Sequence, residues 1–218
     1  MITAVASDSS LEALASGRIH DPHHVLGLKR ERETYRLRAV RPDADALWLR
    51  TASGFAPMQR LHECGIFEWT GADAPPRPVL LRAERTGQVW EFHDPYGFAP
   101  AISADDLYLF NEGTMHQAYR LLGSHAQTRE GVSGIRFACW APNAERVSVV
   151  GEFNGWDGRA YPMSVHSDSG VWEVFVPGLQ VGALYKFEIR NRASGEILIK
   201  TDPYAQAYEF RPGTAARA

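Results

Sequence analysis

Short segments of strict polar and apolar alternation, divided every few residues by turn signals, constrain this chain more than any other feature. Tyr35, Leu37 and Ala39 alternate with Arg36, Arg38 and Val40, Leu47 and Leu49 alternate with Trp48 and Arg50, Phe67 and Trp69 flank Glu68, and Val89 to His93 closes the series. A period of two sends successive side chains to opposite faces of a strand. The breaks at Pro42-Asp43, Ser53-Gly54, Gly71-Ala72-Asp73 and Thr86-Gly87 leave no room for helical crossovers. The pattern therefore predicts an antiparallel sandwich and excludes a series of βαβ units.

A second region repeats the scheme, with strands expected at Ile135 to Trp140, Arg146 to Gly151, Val171 to Val176, Tyr185 to Arg190 and Ile197 to Lys200. Its turn signals are Pro142-Asn143, Asn154-Gly155-Trp156-Asp157-Gly158, Ser167-Asp168-Ser169-Gly170, Pro177-Gly178 and Ser194-Gly195. Landmarks recur in order at a shift of about 100 to 108 positions: Pro42 and Pro142, Met58 and Met163, Gly65 and Gly170, Asp94-Pro95-Tyr96 and Asp202-Pro203-Tyr204. Their order points to two related domains with separate cores. The expected fold is all-β: two immunoglobulin-like β-sandwich domains over 1–93 and 126–218, joined by an ordered connector over 94–125. That connector carries Leu107, Leu109, Phe110, Met115, Leu121 and Leu122, too apolar for a floppy tether. Ahead of the first sandwich, Leu11, Leu14 and Ile19 predict a short helix, with Ser9 or Ser10 as its cap and Gly17 near its end.

The balance of 23 basic against 26 acidic residues gives a formal charge of −3 with no polybasic stretch, which argues against a nucleic-acid partner. No apolar run approaches the ~18 residues of a membrane span and no signal peptide opens the chain, so the expected location is the cytoplasm. Cys64 and Cys139 lie far apart among apolar neighbours and are expected to be buried free thiols.

The sequence contains no nucleophile elbow, P-loop or dinucleotide fingerprint, and no pair of carboxylates stands apart for acid and base work. His20, His23 and His24 lack the further ligands of a zinc site and are assigned to turn packing beside Pro22. No cofactor, metal or catalytic residue is expected. The informative stretch is Gly151 to Gly158, where Phe153 anchors a strand end while Asn154 and Gly155 allow a tight turn that leaves Trp156 at the rim. An indole covers the C–H face of a sugar while amide, carboxylate or ammonium groups bond its hydroxyls. Trp156 is thus a glycan platform or a packing residue, with Lys186, Asn191 and Asn154 as polar partners and Trp172 expected to be buried. Lys186 alternates with Tyr185 and Phe187 and should point away from them.

Taken together, the stretches Gly134 to Asn143, Gly151 to Gly158, Gly170 to Glu173, Tyr185 to Ile189 and Lys200 to Tyr204, with Met163, resemble the N-terminal region of the bacterial 1,4-α-glucan (glycogen) branching enzymes. Asp21 to Gly27, Phe92 to Tyr96 and Leu122 to His125 are similar to that family's additional N-terminal domain and connector. The resemblance implies an extra sandwich followed by a carbohydrate-binding module of the family 48 type. It also implies a (β/α)₈ barrel of glycoside hydrolase family 13 as partner in cis, which transfers an α-1,4-glucan segment to a 6-hydroxyl by retaining double displacement. The chain stops before any sequence resembling that barrel, so it is expected to be an inactive fragment that binds or positions α-1,4-glucan or glycogen. In related modules the positions matching Trp156 and Lys186 contact glucan. A second aromatic platform often follows that lysine, whereas the stretch through Asn191, Gly195, Ile197 and Leu198 holds none. The alternative is a pair of stabilising domains with little glycan binding of their own, and Trp140 and Tyr204 are assigned to packing or the domain boundary.

Overall fold

The computed structural model describes residues 9–166 and 168–218. Residues 1–8 and Ser167, the first residue of one expected turn, lie outside the described residues. Helix α1 spans Ser9–Ala15, so Ser9 and Ser10 fall inside its first turn. It ends where Gly17 N–H donates to Leu14 O and Arg18 N–H to Ala13 O, a left-handed stop that satisfies the last carbonyls.

Eight strands come next: β1 Gly27–Glu31, β2 Thr34–Val40, β3 Ala46–Thr51, β4 Gly54–Pro57, β5 Gln59–His62, β6 Ile66–Gly71, β7 Leu80–Arg85 and β8 Gln88–His93. They form two antiparallel sheets, ordered β1-β2-β6-β5 and β4-β3-β7-β8. Leu37, Ala39 and Phe67 of the first sheet meet Leu47, Leu49, Leu81 and Ala83 of the second, as the alternation requires. Helix α2, Ala104–Glu112, is capped by Ser103 at its start and by left-handed Gly113 at its end. It leads to β9 Gly123–Arg129, β10 Val132–Trp140, β11 Ala144–Gly151, β12 Ser164–His166, β13 Val171–Pro177, β14 Leu184–Asn191, β15 Ile197–Lys200, β16 Ala207–Tyr208 and β17 Ala216–Arg217. One sheet is β9-β10-β13-β12; the other is β11-β14-β17-β16, with β15 also on β14. Ile135, Phe137, Val147, Val149, Trp172, Val174, Tyr185 and Phe187 fill the space between them. The molecule is two antiparallel sandwiches. Among the described residues, no helix is long and apolar enough to cross a membrane.

The repeated landmarks are the same local device built twice. Arg41 N–H donates to Gly65 O at 2.7 Å, and Ala141 N–H donates to Gly170 O at 2.9 Å. Gly65 and Gly170 have φ of 85° and 68°, and a Cβ on either would run into the backbone of Pro42 or Pro142. Met58 N–H bonds Leu47 O, and Met163 N–H bonds Val147 O, both at 2.8 Å. The Asp-Pro-Tyr turns match as well, since Asp94 accepts from Tyr96 N–H and Asp202 from Tyr204 N–H. They differ in one respect. The second oxygen of Asp202 accepts from Tyr185 Oη at 2.5 Å, whereas the second oxygen of Asp94 is buried without a protein partner.

Of the three histidines assigned to the turn, His24 stays exposed beside Asp21, while His20 and His23 are struts between the two sandwiches. His20 Nδ1–H donates to Glu145 O at 3.0 Å and the ring sits edge-on to Trp172. His23 Nε2 bonds Phe98 O at 3.2 Å while Nδ1 bonds Ser164 Oγ, and Tyr96 Oη donates to Pro162 O at 2.9 Å. Arg41 forks onto Asp43 and reaches Tyr161 Oη. Below the connector, the buried Glu173 carboxylate accepts from Ala101 N–H, Ile102 N–H and His166 Nε2. Burial works against that carboxylate's charge, yet these donors hold its pKa below the usual value. Cys139 is buried as expected, but Cys64 is only partly covered.

A carbonyl can only accept, so His23 carries its proton on Nε2, and Nδ1 accepts from the Ser164 hydroxyl. Burial, opposed by Phe98 O and Asp21, lowers its pKa below 6.5. A base depressed in the fold gives stability that is complete above the unfolded pKa and is lost as pH falls through the folded one. The stability gap between the wild type and His23→Gln is therefore expected to narrow as pH is lowered from 7.5 to 5. Urea titrations at both values check this, and an unchanged gap would overturn it.

Candidate functional site

Strand β11 ends at Gly151 and passes into one 3-10 turn over Glu152–Asn154. Asn154 ties this turn to the loop beyond it: its Oδ1 accepts from Gly151 N–H at 2.9 Å, and its Nδ2 donates to Val149 O at 3.0 Å and Asp157 O at 3.3 Å. Phe153 points inward against Phe137 and Tyr161. Gly155 and Trp156 then adopt φ of 61° and 60°, and Trp156 N–H closes the loop on Gly151 O at 2.9 Å. A left-handed bulky residue is rare and is held only by its surroundings. The result leaves the Trp156 side chain on the rim, with 38% of the residue exposed.

Trp156 lines a cleft of about 450 Å³ together with Asp157, Arg159, Arg146, Glu188 and Ile197. Its far wall is Ala15 to Gly17, the end of α1, so the first sandwich's leading segment completes a cleft on the second. The floor is electrostatic. Arg146, only 3% exposed, donates from Nη1 to Gly158 O at 3.1 Å and from Nη2 to Glu188 Oε1. Gly158 allows that approach, because a Cβ there would strike the Glu188 carboxylate. At the rim, Arg159 donates to Asp157 from its backbone, Nε and Nη2. Partial burial would raise the Asp157 pKa, but the Arg159 bonds outweigh it and hold the carboxyl below its usual range. The cleft thus offers an indole face, an ionised carboxylate and a guanidinium within one opening.

Of the residues singled out from sequence, Trp156 is in this cleft and Asn154 lies beneath it, its amide engaged in shaping the turn. Lys186 does lie opposite the buried Tyr185 and Phe187, two residues along β14 from Glu188. Its Nζ donates to Thr214 Oγ1 at 2.6 Å, away from the residues that line the cleft. Asn191 stands at the other end of β14, where its Oδ1 accepts from Ala193 N–H and Ser194 N–H and closes the β14–β15 hairpin. Trp172 is buried, with Nε1 donating to Ala141 O at 3.0 Å. Trp140, assigned to packing or the domain boundary, meets Phe110 of α2 edge-on and is 57% exposed. Alternation put its side chain outside the sandwich core, and the segment laid along that outer face leaves it open.

Sequence reasoning missed Arg146, Glu188, Arg159 and the contribution of α1. Arg146 and Glu188 are diagonal neighbours across β11 and β14, because Arg146 faces Arg190 and Ser148 faces Glu188. Such pairs interact when strands are adjacent. An Arg and a Glu on the outward positions of two expected strands were the available signal, and strand pairing was the missing knowledge.

Comparison with known proteins places the two halves separately. Residues 7–96 match the family described as the alpha-1,4-glucan branching enzyme GlgB N-terminal domain, and residues 121–205 match carbohydrate-binding module 48, the isoamylase N-terminal domain. The 1,4-alpha-glucan branching enzyme GlgB of Methylobacillus flagellatus is 53% identical over 217 residues, covering 100% of this chain and 30% of its own length. That of Nitrosomonas europaea is 54% identical over 213 residues, covering 97% of this chain and 29% of the relative. The chain therefore spans about 30% of the length of these curated relatives. A solved pullulanase from Anoxybacillus sp. LM18-11, complexed with maltotetraose, is 15% identical with a TM-score of 0.39, covering 88% of this chain and 26% of the pullulanase.

Proposed function

The chain belongs to the N-terminal region of the 1,4-alpha-glucan branching enzymes, and from that premise we propose that it binds and positions α-glucan for a catalytic (β/α)₈ barrel in the same polypeptide. In this reading it contributes no catalytic residue, works in the cytoplasm on glycogen, and divides into sandwiches over 1–93 and 126–218 with a connector over 94–125. The parent reaction is transfer of an α-1,4-glucan segment to a 6-hydroxyl. The observation that carries the reading is Trp156, held on the rim in a left-handed turn beside the Asp157–Arg159 pair. The indole covers the apolar face of a glucose ring, and the ionised carboxylate and guanidinium bond its hydroxyls. Lys186 supplies a further donor once its bond to Thr214 is exchanged, and Asn154 acts by holding the turn. Asn191 is the remaining polar candidate, at the β14–β15 end of the same sheet.

Trp156→Ala is expected to lower glycogen binding by roughly tenfold or more, the loss of one stacked aromatic anchor. Depletion of the 218-residue chain by glycogen measures it. Unchanged depletion of the variant would refute the platform role.

A second reading is favoured by the seam between the sandwiches, where Arg41–Tyr161, Tyr96–Pro162 and His23–Ser164 all cross. Here the chain is chiefly a rigid support for the rest of the protein, with incidental glycan contact. Saturable glycogen binding by the isolated chain would count against it.

A further inference from the structure

Beyond the Trp156 cleft, a second opening is bordered by a later residue of the segment that leaves α1. Ala15 to Gly17 wall the first, and His20 lines the second. At the end of β14 the two are neighbours: Arg190 lines the Trp156 cleft and Arg192, one residue beyond the strand, lines this one, a step of about 7 Å along the chain. Its volume is about 480 Å³, and its exposed wall is Trp140.

Trp140 is positioned much as a platform requires. Its Nε1 donates to Ser169 O at 3.0 Å, which fixes the ring, and Phe110 of α2 meets it edge-on with centroids 6.1 Å apart. The opening does not stop there. Asn111, Asp168 and Ser169 line both it and a neighbouring cleft of about 410 Å³, bounded by Ala104, Leu107 and Tyr108. Positions 104, 107, 108 and 111 form one stripe of α2, so the helix presents a continuous edge to the groove. Tyr108 is 64% exposed at its far end. Between the aromatics, Asn111 Nδ2 donates to Asp168 O at 3.2 Å, leaving its Oδ1 available, and the Asp168 side chain is exposed. Arg192 spends one nitrogen on Ala144 O at 3.2 Å and keeps the rest of its fork.

The sequence of chemistry along this groove is indole, carboxamide, carboxylate, phenol, with a guanidinium at the side. A protein segment would be expected to meet a contiguous apolar core inside a polar rim. A linear sugar polymer instead needs aromatic faces spaced by hydrogen-bonding groups, and the volumes fall in the range of ligand sites.

We infer that the groove between α2 and the β12–β13 edge, from Trp140 to Tyr108, is a second α-glucan site, continuous with the Trp156 cleft around the α1 exit. The inference rests on the proposed glucan-binding role.

The test is titration of the isotopically labelled 218-residue chain with maltotriose and maltoheptaose, following the Trp140 and Trp156 indole N–H signals and the Asn111 side-chain amide by NMR. Both indoles and the Asn111 amide are expected to shift. In Trp156→Ala the Trp140 and Asn111 signals still move with maltotriose, and either Trp156→Ala or Trp140→Ala weakens maltoheptaose binding about tenfold. If Trp156 saturates while Trp140 and Asn111 stay fixed, the second site does not exist and the groove is left to protein packing. Stillness at both indoles would defeat the glucan-binding role itself together with this extension of it.

Discussion

Replacing Arg146 by Met is expected to destabilise the chain by about 3 kcal/mol, the usual cost of stranding one partner of a buried ion pair. The Arg146 side chain is 4% exposed and that of Glu188 14%, so removing the cation leaves a carboxylate with little access to water. The Gly158 carbonyl loses its donor at the same time, and Gly17, which lies so close over Arg146 that a Cβ there would come within 3.1 Å of Nη1, loses the side chain it rests on. For a chain of this size the corresponding fall in melting temperature is on the order of 10 °C. Adding Glu188→Gln to Arg146→Met should recover part of the loss, because the stranded charge is gone. Chemical denaturation of the two single variants and the double variant measures the coupling. Additive losses would show that Arg146 and Glu188 act independently and that the cleft floor is not held by their pairing.

Asp94 is expected to give the chain a stability that declines with rising pH. Its side chain lies in a residue 1% exposed, with one oxygen on Tyr96 N–H and the other unpartnered. Burial, only partly offset by the Tyr96 bond, raises its pKa from 3.8 to about 7. In the unfolded chain the same carboxyl ionises above about pH 4. Between those values the folded state holds a proton that the unfolded state has released, so stability falls as pH rises and levels off above about 7. At ~1.4 kcal/mol per unit, the full swing is on the order of 4 kcal/mol. Asp94→Asn keeps the shape and removes the titration. The variant is expected to lose to the wild type at pH 4 and to gain on it steadily toward pH 8, measured by denaturant midpoints across that range. A stability difference that stays constant from pH 4 to 8 would show that Asp94 is solvated after all. Asp202 provides an internal comparison: burial raises its pKa too, but there the same turn gives its second oxygen to Tyr185 Oη, which opposes the rise.

How much could be read in advance depended on what sets each feature. The strands that bury one face were legible, because Leu37 and Ala39 or Val147 and Val149 must alternate if they are to meet a core. The thin edge strands were not. Gly54–Pro57 and Gln59–His62 exist because a neighbour offers hydrogen bonds, and Gly123–Arg129 carries no apolar alternation at all. The Trp156 turn was legible from Asn154 and Gly155, whose chemistry is local. The Trp140 groove was not, because its second wall is α2, brought alongside β13 by Ile102, Leu107, Phe110 and Met115 packing on Leu121, Ala138 and Val171.

What the sequence determined by itself was therefore everything that depends on neighbours in the chain: the strand period, the glycine-bounded turns, the twice-used Asp-Pro-Tyr device and the placement of an indole at a loop tip. What only the tertiary structure decided was which outward faces stay open. Arg146 is buried although its strand position points outward, because the end of α1 lies over it; Trp140, equally outward, remains 57% exposed because α2 meets it only edge-on through Phe110. Alternation assigns a side chain to one face of its sheet, but whether that face meets water is settled by segments distant along the chain, through packing that no local pattern encodes.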